Sequence, residues 1–192
     1  MPLDSGAGVE LKGVPPHHRA AHICYLYYDD EERADVLPDY VRDGLASGQI
    51  VHYLADPFDE HARRKLHRIG LLKDGIADAI RFAAATDTYT PDGEFVPGAM
   101  LACLRAYWDG AIAAGTAGAR VAAEMTWASA GAPGCEQHLV AYEAQINDLL
   151  VTHPMTVLCQ YDMRRFDGGT AFAMLGIHPL IVLGHRVVPN PY

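Results

Sequence analysis

The sequence has 192 residues, half of them hydrophobic and a fifth charged, with a formal net charge of −9. That length suits one α/β domain with a sizeable core and is short for two, while the composition excludes a disordered or membrane-spanning chain. The negative charge repels a phosphate backbone, so no direct nucleic-acid partner is expected. The basic triplet Arg63-Arg64-Lys65, flanked by His61 and His67, reads as a solvated helix face.

Residues 1–18 carry Gly, Pro and polar residues and read as a flexible N-terminal tail, leaving one ordered domain over 19–192. His22 to Tyr28 is the first expected strand, followed by a helix over Glu31 to Ser47 with Val36, Leu37, Tyr40, Val41 and Leu45 at helical spacing and Pro38 as a kink point. Gln49 to Ala55 reads as a strand, Phe58 to Ile69 as a charged helix, and Ile80 to Ala85 as a short strand. Pro97 to Ala114 has a helical stripe of Met100, Leu101, Leu104, Trp108 and Ile112. Arg120 to Trp127 reads as a strand. Cys135 to Val151 is the clearest helix, with Leu139, Tyr142, Ile146 and Leu149 recurring every three or four residues. A strand at Met155 to Tyr161, a helix near Thr170 to Leu175 and a strand over Leu180 to Val188 complete the series.

Strands alternating with helices predict an α/β fold: a mostly parallel sheet with helices on both faces and a ligand crevice beyond the carboxyl ends of the strands. The turn after the first strand is where a phosphate loop would lie. It reads Tyr28-Asp29-Asp30-Glu31-Glu32, four carboxylates in place of glycines and a lysine. The chain has only three lysines, Lys12, Lys65 and Lys73, and none follows a Gly-rich turn. Such a turn repels a triphosphate, although acidic residues also cap helices. No nucleophile elbow, zinc-protease helix or dinucleotide fingerprint is present, so no enzyme activity is expected.

The crevice candidates are Tyr28, Glu124, Trp127, Tyr161 and Asp162. Glu124 interrupts an apolar strand and must be paired, protonated or exposed to a cavity, and Trp127 beside it offers an aromatic wall. Simple structural pairing is an equal reading for Glu124; for Asp162 the alternative is capping, or pairing with Arg164 or Arg165. His22 and Cys24, two apart on a strand, share a face and with Cys159 and His178 could form a metal or haem site. Burial in the core is the stronger reading of that set. His22 and Cys24 also fall early in their strand, so either a ligand enters from elsewhere or they are structural. Glu143 and Asn147 read as the solvated face of their helix. Cys24, Cys103, Cys135 and Cys159 form no C-x-x-C pair and fit reduced thiols in a cytoplasmic protein. Neither a signal peptide nor an apolar run of membrane length is visible.

Taken in order, His22-Ile23-Cys24, Gly44-Leu45, Tyr89, Gly93-Glu94-Phe95, Met100, Glu124-Met125-Thr126-Trp127, Tyr142-Glu143, Asn147, Cys159-Gln160-Tyr161-Asp162, His178-Pro179 and Asn190-Pro191-Tyr192 resemble the MEDS domain, the methanogen/methylotroph sensory domain of the dichloromethane-responsive regulator. The resemblance implies a sheet like those of RecA-like and circadian-clock ATPases with a degenerate phosphate loop. It also implies a sensor of small organic ligands, such as hydrocarbon derivatives. The output would lie in an attached or partner transcription regulator, histidine kinase or anti-sigma-type module, and a homodimer is compatible with that role. A residual nucleotide-binding ATPase and a metal or haem sensor stand as alternatives, and no cofactor is named.

Overall fold

The computed structural model describes residues 12–14, 20–55, 64, 67, 79–129 and 135–192. Within them the chain alternates strand and helix: β1 Ala21–Tyr27, α1 Asp30–Ala46, β2 Ile50–Leu54, β3 Ile80–Ala83, α2 Ala85–Tyr89, α3 Pro97–Ala113, β4 Ala119–Glu124, α4 Thr126–Ser129, α5 Cys135–Thr152, β5 Thr156–Asp162, α6 Gly168–Ile177, β6 Leu180–Leu183 and β7 Arg186–Pro189. The strands form one sheet in the order β3-β2-β4-β5-β1-β6-β7. Every pairing is parallel except β6 with β7. The expected α/β class and mostly parallel sheet are therefore present.

Strands of a parallel sheet covered on both faces are buried throughout. Every residue of β4 and β5 is buried, including Arg120, Glu124 and Gln160. On one face Val36, Leu37 and Tyr40 of α1 pack on Ile23, Tyr25, Tyr27, Ala122 and Leu158. On the other, residues of α2, α3, α5 and α6 pack on Cys24, Val121, Val157, Cys159 and Tyr161. The period-two alternation of β1 thus sends His22 and Cys24 to the α5 side and Ile23 and Tyr25 to the α1 side.

Local chemistry explains the boundaries. Asp29 caps α1, its side chain accepting from the Glu32 N–H at 2.7 Å, and Asp167 caps α6 in the same way through the Thr170 N–H at 2.7 Å. Pro38 stays inside α1, which runs on to Ala46. The strand expected over Arg120 to Trp127 ends at Glu124, and Thr126 and Trp127 belong to α4. The single strand expected over Leu180 to Val188 is two, because Gly184, at φ 56°, opens a two-residue turn that pairs Leu183 with Arg186. The charged helix expected over Phe58 to Ile69 lies outside the described residues apart from Arg64 and His67. So does most of the expected tail, within which Lys12 forms a bridge with Arg186 beside β7.

Candidate functional site

Four side chains distant in sequence meet on the α5 side of the sheet: His22 from β1, Glu143 from α5, Cys159 from β5 and His178 at the end of α6. Their nitrogen, oxygen and sulfur atoms all lie within 4.8 Å of one another, and all four residues are buried. Glu143 Oε2 is the hub, 3.0 Å from His22 Nε2, 3.4 Å from His178 Nε2 and 3.4 Å from Cys159 Sγ. Cys159 Sγ is 3.6 Å from His22 Nε2, and the two imidazole rings lie 3.9 Å apart. Parallel register aligns Cys24 with Cys159 on neighbouring strands, but Cys24 is outside the group of four.

The backbone and a neighbouring amide orient both rings. His178 Nδ1 lies 2.8 Å from the Met174 carbonyl, an acceptor only, so Nδ1 carries the proton. Asn147 donates through Nδ2 to the Ile177 carbonyl at 3.0 Å, which turns its Oδ1 toward His22 Nδ1, also at 3.0 Å. His22 must donate there too. Asn190 Nδ2 then binds the carbonyls of Leu175 and His178, the latter at 2.7 Å, and holds the backbone on either side of the ring.

Burial lowers the His22 pKa, helped by the nearby His178 and opposed by Glu143 and Asn147, so a neutral ring is favoured. Burial alone raises the Glu143 carboxyl; it falls below the usual carboxylate range only where His178 and His22 carry a proton on Nε2 to donate to it. Burial and the Glu143 charge together push the Cys159 thiol well up. Glu143 Oε1 and the Tyr161 hydroxyl are buried without a hydrogen-bond partner among the described residues.

The solvated-face reading of Glu143 and Asn147 is overturned. Glu143 is fully buried, and Asn147 bridges His22 to Ile177. The inward stripe of α5 is wide: Leu139, Tyr142, Glu143, Ile146 and Leu150 are all buried, and the pair one turn apart on it is polar.

Among the described residues the strand-end candidates have separate surroundings. Tyr28 is 66% exposed. Glu124 is buried and folds back on its own chain, accepting from the Thr126 N–H at 3.0 Å, from the Thr126 hydroxyl, and from the Tyr27 hydroxyl at 3.4 Å. Burial raises its pKa despite those bonds and the Arg33 charge. Trp127 stacks on Tyr89 at 4.5 Å and packs against Phe95 at 4.6 Å in an aromatic cluster that includes Tyr142. Tyr161 turns toward His178, its ring 6.1 Å away. Asp162 pairs with Arg164 at 2.6 Å and lies 3.7 Å from Arg165.

Beside His22, an apolar cleft of about 240 Å³ opens near the amino end of β1, lined by Ala21, His22, Asn147, Leu150, Val151 and Leu180. It lies at the opposite end of the strand from the crevice expected beyond the carboxyl ends. His22 and Asn147 link the cleft to the buried four.

Sequence reasoning also passed over the two buried arginines on the α1 side. Arg33 binds Gln160 at 3.0 Å and the Tyr53 hydroxyl at 3.1 Å, and Arg120 lies fully buried in β4. The signal for Arg120 was present in a cation flanked by Ala119 and Val121. Among the described residues no helix is long and apolar enough to cross a membrane.

No curated protein matches the chain. A family model does, over residues 21–179: MEDS, the MEthanogen/methylotroph, DcmR Sensory domain. That span contains β1 through α6 and all four clustered side chains, and the chain belongs to the MEDS family of sensory domains.

Proposed function

We propose that this MEDS domain binds a small, largely apolar organic compound and passes the resulting change in conformation to an output protein or domain. That output would be a transcription regulator, a histidine kinase or an anti-sigma-type module. The observation that carries the reading is the apolar cleft with His22 and Asn147 in its wall. Its volume suits a compound of a few heavy atoms, below the range of drug-sized ligand pockets. Occupancy there would bear directly on the hydrogen bonds that set the His22 ring. A ligand signals only by binding two states unequally, and a buried polar group with two arrangements supplies such states.

The same reading makes the sheet a RecA-like one with a degenerate phosphate loop, and the chain a binding domain rather than an enzyme. In support, the Glu32 amide at the start of α1, where a phosphate would dock, is held by the Asp29 carboxylate. A rise in melting temperature with Mg-ATP that disappears on adding chelator would count against this part.

Titrating dichloromethane into the full chain, followed by heteronuclear NMR, tests the ligand site. Saturable shifts are expected at Ala21, His22, Leu150 and Leu180, and Val151→Trp should abolish them. Val151 is 81% exposed on the cleft rim, so the larger ring blocks the cleft without disturbing the core. Shifts confined to Glu124, Trp127 and Tyr161 would move the site to the strand ends, and an absence of saturable shifts would refute binding.

A further inference from the structure

The four clustered side chains pose a problem of proton count. His22 and His178 each donate Nδ1–H to an oxygen that can only accept, Asn147 Oδ1 and the Met174 carbonyl. In their neutral forms both rings therefore present a bare Nε2 lone pair to the same carboxylate oxygen of Glu143, at 3.0 and 3.4 Å. The Cys159 sulfur is the fourth atom, 3.4 Å from that oxygen. The thiol can donate one proton to that oxygen, but the two imidazole lone pairs and the carboxylate still face one another in a buried space and repel unless a positive charge sits among them.

We propose that His22 Nε2, Glu143 Oε2, Cys159 Sγ and His178 Nε2 form a buried four-coordinate site for a divalent transition metal of the zinc class. The proposal is independent of the organic ligand argued above.

Three observations support it. The first is distance. Metal bonds of about 2.0–2.2 Å to nitrogen and oxygen and about 2.3 Å to sulfur put the ligands of a tetrahedron roughly 3.3–3.7 Å apart. Four of the six separations are 3.0, 3.4, 3.4 and 3.6 Å, and the other two are within 4.8 Å. The second is orientation: each ligating ring is fixed through its other nitrogen, as metal-bound histidines are, and Asn147 is itself held by the Ile177 carbonyl. The third is charge. A carboxylate, a thiolate and two neutral imidazoles sum to −2, which one divalent ion cancels, removing the cost of burying them. Binding releases the thiol proton of Cys159 to solvent, and the ion keeps the sulfur as thiolate. The mixed nitrogen, sulfur and oxygen set suits zinc or cobalt rather than magnesium or calcium. Because the four atoms lie within 4.8 Å of one another, they enclose a single ion and leave no room for a porphyrin. The cleft with His22 and Asn147 in its wall borders the site.

The test is Co(II) titration of the full chain, prepared without an affinity tag and stripped with chelator. One equivalent should bind, with the strong visible bands of a tetrahedral site and a thiolate-to-cobalt charge-transfer band, all displaced by one equivalent of Zn(II). Cys159→Ser should remove the charge-transfer band, and His178→Gln should weaken cobalt binding at least about tenfold. No saturable binding, the weak bands of a six-coordinate ion, or a spectrum unchanged by Cys159→Ser would overturn the proposal. Should a variant not fold, the wild-type charge-transfer band decides alone. Failure of dichloromethane to bind would leave the cobalt result intact, and the reverse also holds.

Discussion

The sheet buries polar groups on both faces, and the two sets differ in kind. On the α1 face, Arg120 brings its own donors and finds acceptors within the fold. It donates to Gln49 Oε1 at 2.8 Å, the Tyr40 carbonyl at 3.0 Å and Asp43 at 2.7 Å, with its guanidinium over the Tyr40 ring. On the α5 face the converging atoms of His22, Glu143, Cys159 and His178 are nearly all acceptors. The first cluster pairs its charge from within the fold and acts as structure. The second is completed only by a charge from outside, and the contrast separates a buried network that holds the fold from one that can report on its surroundings.

Breaking the Arg120 cluster should have the largest effect. Arg120→Ala leaves a cavity and strips donors from Gln49 and the Tyr40 carbonyl, so urea denaturation should show a loss of about 3–5 kcal/mol. Crowding it costs less. A Cβ on Gly44 would lie 2.8 Å from Arg120 Cδ and 3.0 Å from Val51 Cγ2, and Gly44→Ala should destabilise by about 1–3 kcal/mol in the same assay.

The α5 face should respond in the opposite sense. Glu143→Gln replaces a carboxylate by an amide able to donate to one imidazole, so the metal-free variant should lie within about 1 kcal/mol of the parent. The rise in melting temperature produced by Zn(II) in the parent should be absent from the variant. A large loss of stability without metal would make Glu143 a structural group like Arg120 and erase the distinction.

His52 sharpens the comparison from the same face, because it is a half-buried imidazole outside that cluster. It stacks on Tyr107 at 3.7 Å. Burial, with Arg81 nearby, lowers its pKa from 6.5 to about 4. The unfolded chain therefore takes up this proton first, and the stability tied to neutral His52 is full above pH 6.5 and is lost as pH falls toward about 4. His52→Phe should flatten that part of the stability profile, measured as urea midpoints across the window. An unchanged profile would assign the acid sensitivity elsewhere.

The alternation of apolar runs and helical stripes made the layered sheet legible, because burial on both faces leaves its mark in continuous hydrophobic segments. It could not show that Gly184 folds the last segment into a hairpin, since Leu180 to Leu183 and Arg186 to Pro189 read as one apolar stretch. At the site, His22, Cys159 and His178 were legible as a group, while Glu143 was not. A helix stripe drawn through its apolar members alone leaves out an acid that points the same way, and only packing against β1 reveals that α5 buries it. Trp127 looked like part of a pocket wall because a strand carried past Glu124 would place it there. The chain instead turns into α4 and sends the indole into the aromatic core.

Asn190 has a mechanical consequence. Its amide grips the carbonyls of Leu175 and His178 while its backbone N–H holds the Pro179 carbonyl at 2.9 Å. It thereby pins the residues after β7 to the same short stretch of backbone that aims the His178 ring. A rotation of that stretch would act like torque on a keyed shaft, carrying Pro191 and Tyr192 at the edge of the domain along with the ring at its centre.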